Sequence, residues 1–275
     1  MSPDCKKSFF RRVSVMLLAL QLFISTSVFS QEGTVAGAEE LAKKLANPVS
    51  SLISVPFQNN TDMGIGALNG SRNILNIQPV IPFALNTKVN LITRVILPVI
   101  SQHDITGAGQ EERGLGDVLA SAFFSPSNSK NGLIWGAGPV LLMPLATNEF
   151  LGTKKWGAGP TAVLLAQKSG WTYGALVNQV WSFAGSSTRT DISQFFFQPF
   201  FNYNWKSGSG LGVSAEYTHN WVNATDALVV VPAVSGVIKL GKQVVSLSGG
   251  PRFHLSGPAK PDIGFRAGFS LVFPK

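Results

Sequence analysis

The chain predicts an all-β protein, an antiparallel transmembrane β-barrel of about twelve strands, and three observations carry the prediction. The first is alternation: from Ser51 onward apolar and polar residues exchange with a period of two, and one face is heavily aromatic. The second is charge. Asp, Glu, Lys and Arg make up 13% of the residues, against roughly 25% in ordinary soluble domains, too few to clothe a water-facing exterior. The third is that no stretch after the first thirty residues approaches the ~18 uninterrupted apolar residues of a spanning helix. The longest candidates, Leu228 to Val234 and Gly138 to Ala146, are both broken by Pro. A strand crosses a bilayer with only about 9–11 residues. Alternation by itself also fits a soluble β-sandwich or a lipocalin-like barrel; low charge and aromatic strand ends favour the membrane.

In chain order, the first element is an export signal over residues 1–30. Lys6, Lys7, Arg11 and Arg12 precede a short apolar core, Val13 to Ile24, and small or polar residues follow to Ser30. Cleavage is expected after Ser30, with Val28 and Ser30 as the small-pocket residues. Removing the four basic residues and Asp4 lowers the formal charge from +8 to +5. The remaining basic residues are scattered, which argues against nucleic acid. The one cysteine, Cys5, lies in the signal, so the mature chain is expected to have no disulfide, thiol chemistry or cysteine-held metal.

Residues 31–50 read as a periplasmic leader containing a short helix, Ala38 to Ala46. Glu39 with Lys43 and Glu40 with Lys44 stand at i, i+4, and Pro48 stops the helix.

The barrel itself is expected over 51–275. Its clearest strand is Gln194 to Trp205. Phe195, Phe197, Phe201, Tyr203 and Trp205 share one face; Gln194, Gln198, Asn202 and Asn204 lie on the other with Phe196 and Phe200. Residues 262–273 and 213–221 repeat the pattern. Turn signals place strands at 51–58, 72–83, 88–100, 115–126, 132–145, 157–168, 171–183, 191–205, 210–222, 228–239, 244–255 and 262–273. An even count leaves both ends on the periplasmic side. The outer loops are then 59–71, 101–114, 146–156, 184–190, 223–227 and 256–261. Trp135, Trp156, Trp171, Trp181, Trp205 and Trp221 fall near strand ends, where interface girdles sit. Pro79, Pro98, Pro139, Pro160, Pro199, Pro232 and Pro251 fall inside proposed strands. Proline cannot donate to a ladder, so local bulges or inward-tilted rims are expected at each.

Trp135-Gly-Ala-Gly-Pro139 recurs as Trp156-Gly-Ala-Gly-Pro160, 21 residues later, marking equivalent positions of a hairpin. With AEELAKKLANPVSSLISVPFQ (38–58), LNIQPVIPF (75–83), RVILPVI (94–100), GLGDV (114–118), WTYGALVNQVWSFAG (171–185) and the terminal FPK (273–275), the chain resembles the bacterial outer-membrane family labelled MetA-pathway of phenol degradation, also called transporter or neuromedin U. The likeness covers nearly the whole mature chain. It implies a Gram-negative outer-membrane barrel that passes small, often aromatic, compounds. The ending Phe273-Pro274-Lys275 departs from the usual barrel signal, which finishes on Phe.

Three functions follow as expectations: a passive channel for small aromatic or hydrophobic molecules, a closed structural barrel or partner platform, and an outer-membrane lipid hydrolase. The expected partners are outer-membrane lipid, small-molecule solutes and the barrel-assembly machinery; no cofactor, metal or nucleic acid is expected. His103, His219 and His254 share no metal spacing. His254 and Ser256 stand two apart, as in outer-membrane phospholipases, with Asn220 and Asn223 as candidates to orient the histidine. Gly107, Gly109, Gly114 and Gly116 precede no helix and read as turn or strand glycines. The polar faces give the lumen candidates Asn76, Gln78, Arg94, Asp117, Gln194, Gln198, Asn202, Glu216, Arg252 and Arg266. Arg94, Arg252 and Arg266 with Asp117 and Glu216 form either an internal ion-pair lattice or the lining of a narrow path.

Overall fold

The computed structural model describes residues 35–50, 52–128, 132–241 and 243–273; the expected signal peptide lies outside them. A short helix, α1 (Val35–Leu45), precedes fourteen strand segments. These are β1 (Ile53–Ile65), β2 (Gly70–Ile77), β3 (Val80–Ala84), β4 (Val89–His103), β5 (Glu111–Leu115), β6 (Val118–Pro126), β7 (Leu133–Met143), β8 (Lys155–Lys168), β9 (Trp171–Gly185), β10 (Ser193–Asn204), β11 (Ser209–Asn220), β12 (Thr225–Leu240), β13 (Gln243–Ser256) and β14 (Ile263–Phe273). β2 and β3 are one crossing interrupted at Gln78-Pro79, and β5 and β6 are one crossing interrupted at Gly116-Asp117. Every neighbour pairs antiparallel, and β1 closes on β14 from Ile53↔Phe273 to Met63↔Ile263. The result is a closed barrel of twelve crossings.

The end bearing Ile53 and Phe273 carries the shorter turns, such as Ser169-Gly170; the opposite end carries the longest connection, 144–154. By the loop-length rule the first is the periplasmic end. The first hairpin is tighter than its sequence predicts, since β1 and β2 run on to Ile65 and Gly70. The run Gln58 to Asp62 reads as loop because it is polar on both faces. Outside the barrel Asn59, Thr61 and Asn73 satisfy one another with side-chain hydrogen bonds of 2.7–3.1 Å. Inside, Asn60 and Asp62 hold arginines, as described below.

The outer face is apolar. All six tryptophans are exposed on it, from 38% (Trp156) to 59% (Trp221). Trp135, Trp171 and Trp205 lie toward the periplasmic end, and Trp156, Trp181 and Trp221 toward the other. Two aromatic belts result, as a bilayer's interfaces require. In the lower belt Trp171 stacks on Phe201 and Tyr203 at 4.7 and 4.6 Å.

Pro79 falls in the break between β2 and β3, and the other in-strand prolines sit where a ladder lapses on one side only. The β6–β7 pairing skips from Ser121↔Val140 to Phe124↔Ala137 beside Pro139. The β8–β9 pairing skips from Ala158↔Trp181 to Thr161↔Asn178 beside Pro160. Pro199 marks a gap in β10–β11, and Pro232 with Pro251 the gap in β12–β13. A strand residue's N–H points to one neighbour, so losing it interrupts one ladder while the other continues. Pro139↔Pro160, Pro199↔Ala175 and Pro251↔Phe265 remain paired on their other sides.

The repeated Gly-Pro dipeptides follow from this geometry. At Gly138, Gly159 and Gly250, a Cβ would collide with the carbonyl oxygen of Ala122, Gln179 and Pro232 respectively. The neighbouring strand's backbone occupies the space of a side chain, so only glycine fits.

Candidate functional site

The barrel interior has two zones, set by which inward residues each strand carries. In the periplasmic half the inward residues are apolar. Val80, Ile92, Phe123, Val163, Leu165 and Leu176 form one buried cluster, with Ile134, Phe196 and Phe200 packed against it. Val49, from the segment after α1, belongs to it at 4% exposure. Beside it Leu52, with Leu41 and Leu45 of α1, packs on Val237, Val244 and Val272. Gln167 Nε2 donates to the carbonyl of Lys43 at 2.7 Å. The Glu39–Lys43 and Glu40–Lys44 pairs form at 2.6 and 2.7 Å, at the predicted spacing. The helix is therefore not the free periplasmic lead-in its polar sequence suggests. Leu41, Leu45 and Val49 pack on the inward apolar side chains of the strands, which removes that surface from water.

Above this seal lies a cavity of about 850 Å³. A smaller one of about 420 Å³ opens below, lined by Val49, Ile92 and Trp135. Ile92 faces the lower space and Arg94 the upper, so the seal is about one side-chain layer thick. One wall of the upper cavity is aliphatic: Ile74, Ile96, Ile100, Leu119, Leu142 and Val180. The opposite wall is polar and is organised by an ion network. Arg252 pairs with Asp62, which also meets His254 Nε2 at 2.9 Å. Glu216 meets Arg266 Nη1 at 2.7 Å and Arg252 Nη2 at 3.9 Å. Arg266 Nε donates to Asn60 Oδ1 at 2.7 Å, and Gln198 Nε2 to Glu216 at 3.4 Å. Gly264 makes room for this network, since a Cβ there would collide with the Asp62 carboxylate.

Of the sequence candidates, Asn76, Gln78, Arg94, Asp117, Gln194, Gln198, Glu216, Arg252 and Arg266 all line the upper cavity. Arg252, Arg266 and Glu216 belong to the lattice. Arg94 stands apart from it and donates to Gln78 Oε1 at 2.6 Å. Asn202 lies toward the periplasmic end, opposite Gly212 and outside the cavity lining. Asp117 does not pair with an arginine. The strand break at Gly116 turns it toward the loop 144–154, where it accepts from Ala146 N and from Thr153 N and Oγ1 at 3.3, 2.6 and 2.6 Å. Asn60, Asp62 and His254 complete the lattice beyond the sequence candidates: the first two lie in the expected loop 59–71, and the sequence singles out His254 only for its spacing from Ser256. The polar run 58–62 continuing the period-two register of β1 was the available signal.

Two loops roof the cavity. Phe150, Leu151, Gly152 and Thr153 of loop 144–154 reach into it, with Arg189 to Ile192 of loop 186–192. Arg189 Nη2 donates to the Glu149 carbonyl at 2.7 Å, and Lys155 Nζ meets Asp191 at 2.7 Å. The Lys155 ammonium, helped by the Ser182 hydroxyl, holds the Asp191 carboxyl below the usual carboxylate range.

No protein-family model matches the chain, and no curated protein matches it. Among solved structures the chain is similar to an outer membrane channel from Pseudomonas putida F1. The TM-score is 0.63 at 16% identity, over 82% of this chain and 97% of that one. At that identity the likeness establishes the fold. Weaker likenesses, with TM-scores of 0.47 and 0.45, join it to the β domain of the Bordetella autotransporter BrkA and to outer membrane phospholipase A from Escherichia coli. Identities are 12% and 10%, over 82% and 86% of this chain and 100% and 98% of those.

Proposed function

We propose that the protein is an outer-membrane channel of a Gram-negative bacterium, passing small molecules that pair an apolar body with a polar or charged group. One observation carries this reading: a cavity half aliphatic and half polar, with loop residues 150–153 and 189–192 in its lining and Val49 packed among the inward strand side chains beneath it. A purely structural barrel has no need of such a space. Loops above and a one-layer seal below are the parts that move, and both are held by non-covalent contacts. The sequence likeness to the phenol-degradation family supports aromatic or hydrophobic cargo. The twin tryptophan belts support the membrane location.

The second reading, a barrel that stays shut, draws on the ion lattice and the buried seal. The lipid-hydrolase reading has less support, because His254 is turned into the lumen onto Asp62, away from the acyl chains outside.

Labelling separates the first two. The mature chain has no cysteine after Cys5, and Ser121 lines the cavity. Ser121→Cys protein in a planar bilayer should show discrete openings that an anionic thiol reagent diminishes. Absence of openings would favour the closed barrel. Openings indifferent to the reagent would place the path elsewhere.

A further inference from the structure

We infer that the cavity floor holds a binding site for organic monoanions, with Arg94 taking the carboxylate and the aliphatic wall taking the apolar body. The inference rests on the channel reading only in needing the cavity to be reachable from outside.

The lumen charges are unevenly matched. Asp62 is taken by Arg252 and His254, and Glu216 by Arg266, Arg252 and Gln198. At the outer end Glu112 is bonded to Gln102 and Thr106, and Gln102 in turn accepts from Arg72. Asp117 is spent on loop backbone. Arg94 has no carboxylate within 4 Å among the described residues, and its one hydrogen-bond partner is the neutral Gln78. A guanidinium carries five N–H donors in a planar fork suited to a carboxylate; here Nη2 donates to Gln78, and the side chain lines the cavity.

The surroundings of Arg94 decide what kind of anion fits. Two residues below it on the same face, Ile92 is 1% exposed in the seal, and cross-strand Val80 belongs to the same cluster. Two residues above it stands Ile96, followed along the wall by Ile74, Leu119 and Ile100. A charge set against an apolar floor is poorly solvated and gains from a paired anion. An anion held there must extend over aliphatic side chains. A hydrated inorganic anion would leave that wall uncovered; a neutral apolar molecule would leave the fork unused.

The test uses the full mature chain in lipid nanodiscs at neutral pH, titrated calorimetrically with benzoate, benzyl alcohol and acetate. Empty nanodiscs give the lipid background. Benzoate should bind roughly ten- to a hundred-fold more tightly than benzyl alcohol, the worth of one to two charged hydrogen bonds. Acetate should bind more weakly than benzoate by a comparable factor. Arg94→Gln should abolish the preference for benzoate over the alcohol, and Arg94→Lys should keep part of it, since the charge stays while the fork goes. Heat-modifiable gel mobility reports whether each variant has folded, and the lysine variant carries the test if the glutamine variant has not. Equal binding of benzoate and alcohol by the wild type would overturn the inference, as would a preference surviving in Arg94→Gln. Acetate equal to benzoate would show a site that reads the carboxylate alone, overturning the part given to the aliphatic wall. Selective benzoate binding by a protein that never opens in bilayers would sustain this site while refuting the channel.

Discussion

Val49→Ala tests whether the internal seal is the gate. Val49 is 4% exposed in the cluster that closes the periplasmic half. The substitution deletes two buried methyl groups. At about 0.8 kcal/mol for each buried carbon the seated state loses about 1.6 kcal/mol. Imperfect collapse around the void adds to that figure. Because the barrel wall is unchanged, the loss falls on seated against unseated segment, and the unseated population should rise about 15-fold. Single-channel recording in planar bilayers reads this as open probability. The comparison is Leu240→Ala, a residue 58% exposed outside the barrel, which should leave gating untouched. Unboiled gel mobility verifies that both barrels are closed. An open probability for Val49→Ala equal to wild type, with intact barrels, would show that Val49 does not close the path.

Three further expectations follow from the wall, the Gly-Pro sites and the roof. Phe197→Arg, on the lipid face near mid-strand, should cost about 2–4 kcal/mol in a folding titration, whereas Gln198→Arg, beside Glu216, should cost far less; equal damage would refute the register of β10. Gly159→Ala should destabilise by about 1–3 kcal/mol, because the Gln179 carbonyl fills the space and backbone must move. Gly236→Ala, with nothing within 4 Å, should be neutral, and similar denaturation midpoints for the two would refute the Gly-Pro account. The Asp191 carboxyl is depressed by Lys155, so its tie to the roof is present above the ordinary carboxylate pKa of about 4 and is lost as pH falls through the lowered value. Asp191→Asn should therefore give, at neutral pH, the current noise that wild type shows only in strong acid. Wild-type noise that stays flat on acidification would show that the tie does not steady the roof.

Much of the wall was legible because a barrel strand writes its two environments in alternation. Residues 194–205 and 262–273 declare their faces outright, and all twelve crossings fall where turn residues divide the sequence. What stayed hidden depends on contacts distant along the chain. Val49 follows Pro48 in a polar leader, and nothing local tells that Phe123, Val163 and Leu176 wait for it. Asp117 reads as an inward strand residue until the break at Gly116 turns it to Thr153. Asp62 and His254, 192 residues apart, meet only because β1 closes on β14 next to β13. The sequence reads the in-strand prolines as bulges, yet beside Pro139, Pro160, Pro199 and Pro251 only one of two ladders lapses, a distinction that pairing reveals and sequence does not.

The seat of the leader also orders the barrel's assembly. Leu41, Leu45 and Leu52 precede the first strand, yet they rest on Val237, Val244 and Val272, in β12, β13 and β14. These early residues cannot find their place until residues about two hundred positions later have done so. Contacts spanning about two hundred residues are slow to form, since a large loop must close before they reward it. The β1–β14 seam and the seated leader share that delay. A nascent barrel would pass through a stage with its wall mostly built and its stopper still outside. Leakage across the membrane would then be greatest during biogenesis, ending as the seam zips and draws the leader in.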